Sequence, residues 1–96
     1  MTLVKLFGSL RQLAGESTLT VEGKDVEEIF AALRQRHKAL VEAIMNGAEL
    51  RPYYKIMVNG YDIALSGGFA TPVRAEDVIA IFPPISGGDI THMERV

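Results

Sequence analysis

Ninety-six residues is the size of one small domain, so a single hydrophobic core is expected, with little chain to spare for a deep active-site cavity. A 48% hydrophobic share excludes wholesale disorder, and the lack of cysteine excludes a disulfide scaffold, an iron–sulfur cluster, a thiolate zinc site and a cysteine nucleophile. Ten Lys/Arg against twelve Asp/Glu leave a net charge of −2, and the one basic cluster, Arg34, Arg36 and Lys38 around His37, is too thin for a nucleic-acid-binding face.

Thr2 to Phe7 is expected to form a strand, with Val4 and Leu6 on one face and Leu3, Lys5 and Phe7 on the other, ended by Gly8. Leu10 and Leu13 suggest one helical turn before Gly15. Ser17 to Val21 alternates Thr with apolar residues and makes a return strand. A helix begins at Asp25, with Glu28 three positions on as in a capping box, and Val26, Ile29, Phe30 and Leu33 form its apolar stripe. The stripe extends through His37 to Leu40, Val41 and Ile44. We expect a break near His37 and a short second helix stopping at Asn46-Gly47.

Tyr53 to Val58 predicts another strand, Asn59-Gly60 a tight turn, and Tyr61 to Leu65 a short return strand. Ser66-Gly67-Gly68 and Thr71-Pro72 mark a loop. Asp77 to Phe82 is almost continuously apolar, which predicts a central strand covered on both faces, and Pro83-Pro84 must end it. The whole predicts an α+β fold: a mixed sheet of four to five strands with one main helix across one face.

No apolar run approaches membrane-spanning length, and Met1 to Gly15 lacks a basic stretch followed by a long apolar one. A cytoplasmic protein with no membrane or nucleic-acid partner is therefore expected. Catalytic patterns also fail. His37 and His92 are too few for a histidine metal site, and His92 with Glu94 makes poor ligand geometry, so no metal is expected. There is no Gly-x-Ser-x-Gly elbow, P-loop or dinucleotide fingerprint. Of the paired carboxylates, Glu27/Glu28 sits at a helix start and Glu76/Asp77 before a strand.

What stands out is the ending, Ile81-Phe82-Pro83-Pro84-Ile85-Ser86-Gly87-Gly88. Ser-Gly-Gly at 66–68 is explained by a loop; the second copy follows an apolar strand and a stiff Pro-Pro segment. Together with Leu6-Phe7, Leu10-Arg11, Ala14-Gly15 and Val58-Asn59-Gly60, it resembles the small subunit of molybdopterin synthase, a ubiquitin-like (β-grasp) sulfur carrier related to the thiamine-pathway carrier.

The resemblance implies that this chain is not an enzyme and binds no cofactor of its own. A partner like the ubiquitin-activating enzymes uses ATP and Mg²⁺ to adenylate the carboxylate of Gly88, and a sulfur donor then displaces AMP to leave a thiocarboxylate. The large subunit of molybdopterin synthase consumes it in molybdopterin biosynthesis, for the molybdenum or tungsten cofactor. Ser86 and Gly87 would thread the partner's channel, and Phe82, Pro83, Pro84 and Ile85 would meet the partner, although Phe82 also suits a core position. One feature departs from the pattern: Gly88 is followed by Asp89 to Val96, so its carboxyl is held in an amide that cannot be adenylated. The resemblance thus implies a carrier domain over residues 1–88 and an extension over 89–96, cut by a protease between Gly88 and Asp89. A second departure is Ala75-Glu76-Asp77, where the family commonly has Gly-Asp. Sulfur delivery to another pathway (cysteine, thiamine), use as a protein modifier, and a non-carrier binding module are the alternatives.

Overall fold

The structure, a computed structural model, describes residues 1–84. Their alternating and helical periodicities resolve into a five-stranded mixed sheet of order β2 (Thr18–Val21), β1 (Thr2–Leu6), β7 (Val78–Phe82), β5 (Lys55–Val58) and β6 (Tyr61–Asp62). Strand β1 (Thr2–Leu6) pairs antiparallel with β2 (Thr18–Val21), and helix α1 (Leu10–Ala14) lies in the wide connection between them. The centre of the sheet is β7 (Val78–Phe82), parallel to β1 and antiparallel to β5 (Lys55–Val58). Strand β6 (Tyr61–Asp62) forms the far edge, joined to β5 by Asn59-Gly60 with both φ positive, as a type I′ hairpin turn requires.

Helix α2 (Val26–Arg36) starts where its cap lies. Asp25 is extended and its carboxylate accepts the Glu28 amide at 2.8 Å. The reciprocal bond of a capping box is shifted by one residue: the Lys24 backbone amide, not that of the cap residue Asp25, donates to Glu28 Oε1 at 3.0 Å. Gly23 allows this tight start, since a Cβ there would come within 2.8 Å of the Ile29 amide nitrogen. Helix α2 ends at His37, and α3 (Lys38–Ile44) follows at once. Val26, Ile29, Phe30 and Leu33 of α2 and Leu40, Val41 and Ile44 of α3 pack with Val4, Leu6, Leu19, Val21, Ile56, Val58, Ile79 and Ile81 of the sheet in one core.

Three expectations change. The second helix stops at Ile44, not at Asn46-Gly47: β3 (Met45–Asn46) and β4 (Glu49–Leu50) form a small hairpin around Gly47 at positive φ. The return segment after Asn59-Gly60 is a strand only to Asp62. Asp62 then caps a 3-10 turn over Ile63–Leu65 by accepting the Ala64 amide at 2.9 Å. Finally, β7 is covered on one face, not two. Ile79 and Ile81 are fully buried while Val78, Ala80 and Phe82 are half-buried, because all the helices lie on the Ile79 side.

Candidate functional site

The outward parity of the central strands creates a second, uncovered face. Leu3, Lys5 and Phe7 continue β1's outer row, and Val78, Ala80 and Phe82 form β7's. The register sets Lys5 opposite Ala80, Met57 opposite Ala80, and Lys55 opposite Phe82. The result is a strip of half-exposed apolar side chains with lysines at its margins. Lys55 is tied to Asp62 at 3.3 Å.

Phe82 sits at the end of this strip. It is half-buried and outside the core, so the core alternative for it is set aside. Its ring stacks on Phe7, with centroids 4.4 Å apart and planes inclined by 14°. No local sequence pattern pairs Phe7 with Phe82; both occupy outward positions at the ends of β1 and β7, which are parallel neighbours. Pro83 is half-buried and Pro84 exposed, and both lie beyond the last ladder pair. Ile85, Ser86, Gly87, Gly88 and Asp89 lie outside the described residues, as do His92 and Glu94.

The opposite end of β7 is held by a polar clamp built on Val58-Asn59-Gly60. Asn59, at φ 51°, donates its backbone amide to the Val78 carbonyl at 2.8 Å and accepts the Val78 amide on its side-chain oxygen at 2.9 Å. The side chain thus replaces the backbone carbonyl that the turn directs elsewhere, extending the β5–β7 ladder by one position. Its amide nitrogen donates to Asp77 at 2.9 Å, and Asp77 accepts the Arg74 backbone amide at 2.8 Å. The Asn59 bond, the Arg74 amide and the Arg74 charge hold the Asp77 carboxyl below its ordinary value. Within Ala75-Glu76-Asp77 it is therefore the aspartate that ties the start of the strand to the Asn59 turn.

The other sequence candidates have structural duties. Thr71 donates its hydroxyl to the Gly68 carbonyl at 2.6 Å, closing the first Ser-Gly-Gly loop on itself. Arg36 donates to the Thr20 carbonyl at 2.8 Å, and Lys38 faces Glu42 at 4.0 Å on an exposed helix surface. Among the described residues no group of His, Asp or Glu side chains is arranged to hold a metal ion, and no helix is long and apolar enough to cross a membrane.

The described residues thus form a domain with a core-facing side, an open apolar side and a central strand that ends at Phe82 before Pro83-Pro84. Residues 4–88 match the ThiS family. The chain belongs to the ThiS family. A protein of Archaeoglobus fulgidus assigned as a sulfur carrier is 33% identical to this ThiS-family chain over 86 residues, covering 88% of it and 96% of the relative. The structure of a BexX/CysO complex from Amycolatopsis orientalis contains a chain that matches with a TM-score of 0.84 and 27% identity, over 92% of this chain and 100% of that one. Small archaeal modifier protein 1 of Methanosarcina acetivorans matches with a TM-score of 0.82 and 32% identity, over 91% and 95% of the two chains. The fold is the ubiquitin-like β-grasp, and the chain is of the ThiS type, whose matched relatives are sulfur carriers and ubiquitin-like modifiers.

Proposed function

We propose that this protein is the precursor of a thiocarboxylate sulfur carrier, matured by hydrolysis of the Gly88–Asp89 bond. Water supplies the hydroxyl that leaves Gly88 as a free carboxylate and the proton taken up by the Asp89 amine. That carboxylate attacks the α-phosphorus of ATP on an activating enzyme, releasing pyrophosphate and forming an acyl-adenylate. Hydrosulfide from a sulfur donor then attacks the acyl carbon and expels AMP, leaving the thiocarboxylate. ATP and Mg²⁺ belong to the activating partner. The supporting observation is the placement of Phe82-Pro83-Pro84 at the end of the central strand, outside the core, immediately before Ile85-Ser86-Gly87-Gly88. Glycines without Cβ suit passage through a narrow channel.

The recipient we assign first is the large subunit of molybdopterin synthase, on the strength of the Phe-Pro-Pro-x-Ser-Gly-Gly ending. The likeness to a CysO chain and to a small archaeal modifier favours a second reading, in which the same thiocarboxylate or adenylate serves another sulfur pathway or is joined to protein lysines. Intact-mass measurement of the protein from its own cells tests the carrier chemistry. A species ending at Gly88, with sulfur replacing one oxygen, is expected, and Gly88→Ala should fold normally yet fail to load. A single species ending at Val96 in cells making the cofactor would refute it. Higher-mass conjugates in the same lysate would select the modifier reading.

A further inference from the structure

The parallel register of β1 and β7 runs Leu3↔Val78, Val4↔Ile79, Lys5↔Ala80 and Leu6↔Ile81. Continued by two positions, it sets Phe7 beside Phe82 and Gly8 beside Pro83. At the first of these positions the Phe7 amide still donates to the Ile81 carbonyl at 3.2 Å, and the two rings stack. At the second, hydrogen bonding must stop, because Pro83 has no N–H. Packing takes over there. A Cβ on Gly8 would lie 2.8 Å from Pro83 Cγ and 3.5 Å from Cδ, so the proline ring occupies the space that any side chain at position 8 would need. Gly8 also has φ +61°, a conformation that L side chains rarely adopt.

The geometry points to Gly8 as a positioning residue: with Phe7 it forms a clasp on Phe82-Pro83 that sets the direction in which the chain leaves the sheet toward residue 88. Three restraints converge on that exit. Phe82, preceding a proline, is confined to extended backbone; Pro83 has its φ fixed by its ring; and the ring itself is seated on the bare Cα of Gly8. The clasp rests on the carrier reading for its purpose, since a carrier must deliver one carboxyl carbon to another protein's site while docked by a surface some residues away.

Gly15 supplies the control. It has φ +79°, yet nothing lies within 4 Å of a Cβ built on it, so Gly15→Ala imposes backbone strain without touching the exit. The chain has no cysteine, so spin labels at the exposed positions Thr18→Cys and Pro84→Cys in the full-length protein report the exit direction directly. Gly8→Ala and Pro83→Ala should each move the label-to-label distance by roughly 3 Å or more, about one residue's reach. Gly15→Ala should leave it in place. In the chain ending at Gly88, Gly8→Ala should lower kcat for adenylation about tenfold or more with KM within about twofold, because the docking face is intact while the carboxylate is misdirected.

Superimposable distances in wild type, Gly8→Ala and Pro83→Ala would overturn the clasp. So would an equal displacement in Gly15→Ala. If wild type is adenylated and Gly8→Ala matches its kcat, the positioning role fails and the carrier reading survives. If an activating enzyme that loads its own carrier does not accept wild type ending at Gly88, the carrier reading fails, whatever the labels show.

Discussion

Asn59 shows how one residue type can meet several demands at once. The turn needs a residue that tolerates φ 51°, the central strand needs an acceptor for the Val78 amide, and Asp77 needs a donor; the amide side chain supplies the last two and the backbone tolerance the first. Asn59→Gly keeps the turn and removes the clamp, so it should cost about 1–2 kcal/mol, measured by denaturant unfolding. Asp77 adds a pH dependence. Its carboxyl is held below the ordinary 3.8 in the folded state, chiefly by the Asn59 amide and then by the Arg74 amide, so the folded state binds fewer protons than the unfolded one. The stabilisation is complete above the unfolded value and is lost as pH falls below about 3.8 through the folded one. Asp62, lowered by the Ala64 amide and by Lys55, contributes in the same direction. Melting temperature should therefore drop as pH falls through and below 3.8, and Asp77→Asn should flatten that slope in part. An unchanged slope would show that Asp77 is not among the groups responsible.

At the scale of elements, β7 carries both the core and the exit. Ile79 and Ile81 face the helices and are fully buried, so Ile79→Ala should destabilise the fold by about 2–5 kcal/mol, in contrast to outward Val78→Ala at under about 1.5 kcal/mol. Comparable losses at both positions in urea unfolding would contradict a sheet covered on one side only. This strand also shows how far the sequence could be read. Helical period, the Asp25 cap, the break at His37 and the Asn59-Gly60 turn are local chemistry, and each lies where its residues put it. The covering of β7 is a tertiary property. Asp77 to Phe82 is apolar on both parities, which suggests burial on both faces, but Val78 and Phe82 are apolar on a face that no helix reaches. The Met45–Leu50 hairpin was likewise hidden, because two-residue strands carry no period to detect. The Pro-Pro ending and the outward row of Phe7 were legible, whereas the contact between Gly8 and Pro83 depends on β1 and β7 being parallel neighbours, which no local pattern specifies.

For the molecule as a whole, the two sides of the sheet separate stability from recognition. The helix side holds the core; the open side carries Leu3, Phe7, Val78, Ala80 and Phe82, and we propose that a partner docks there. Proposed docking through this face and delivery through the chain end are then distinct quantities, readable as KM and kcat. Phe82→Ala removes a half-buried ring that touches Phe7 rather than the core, so the fold should persist. Affinity for the partner subunit should fall by about 1–2 kcal/mol, or more if the ring is a hot spot. Calorimetric titration of the partner with wild type and Phe82→Ala checks this, with melting temperature as the control. Unchanged affinity with a large loss of melting temperature would make the Phe7–Phe82 stack a stabilising contact and move docking elsewhere. Loss of affinity with little change in melting temperature would place Phe82 in recognition and leave Gly8 and Pro83 to govern delivery.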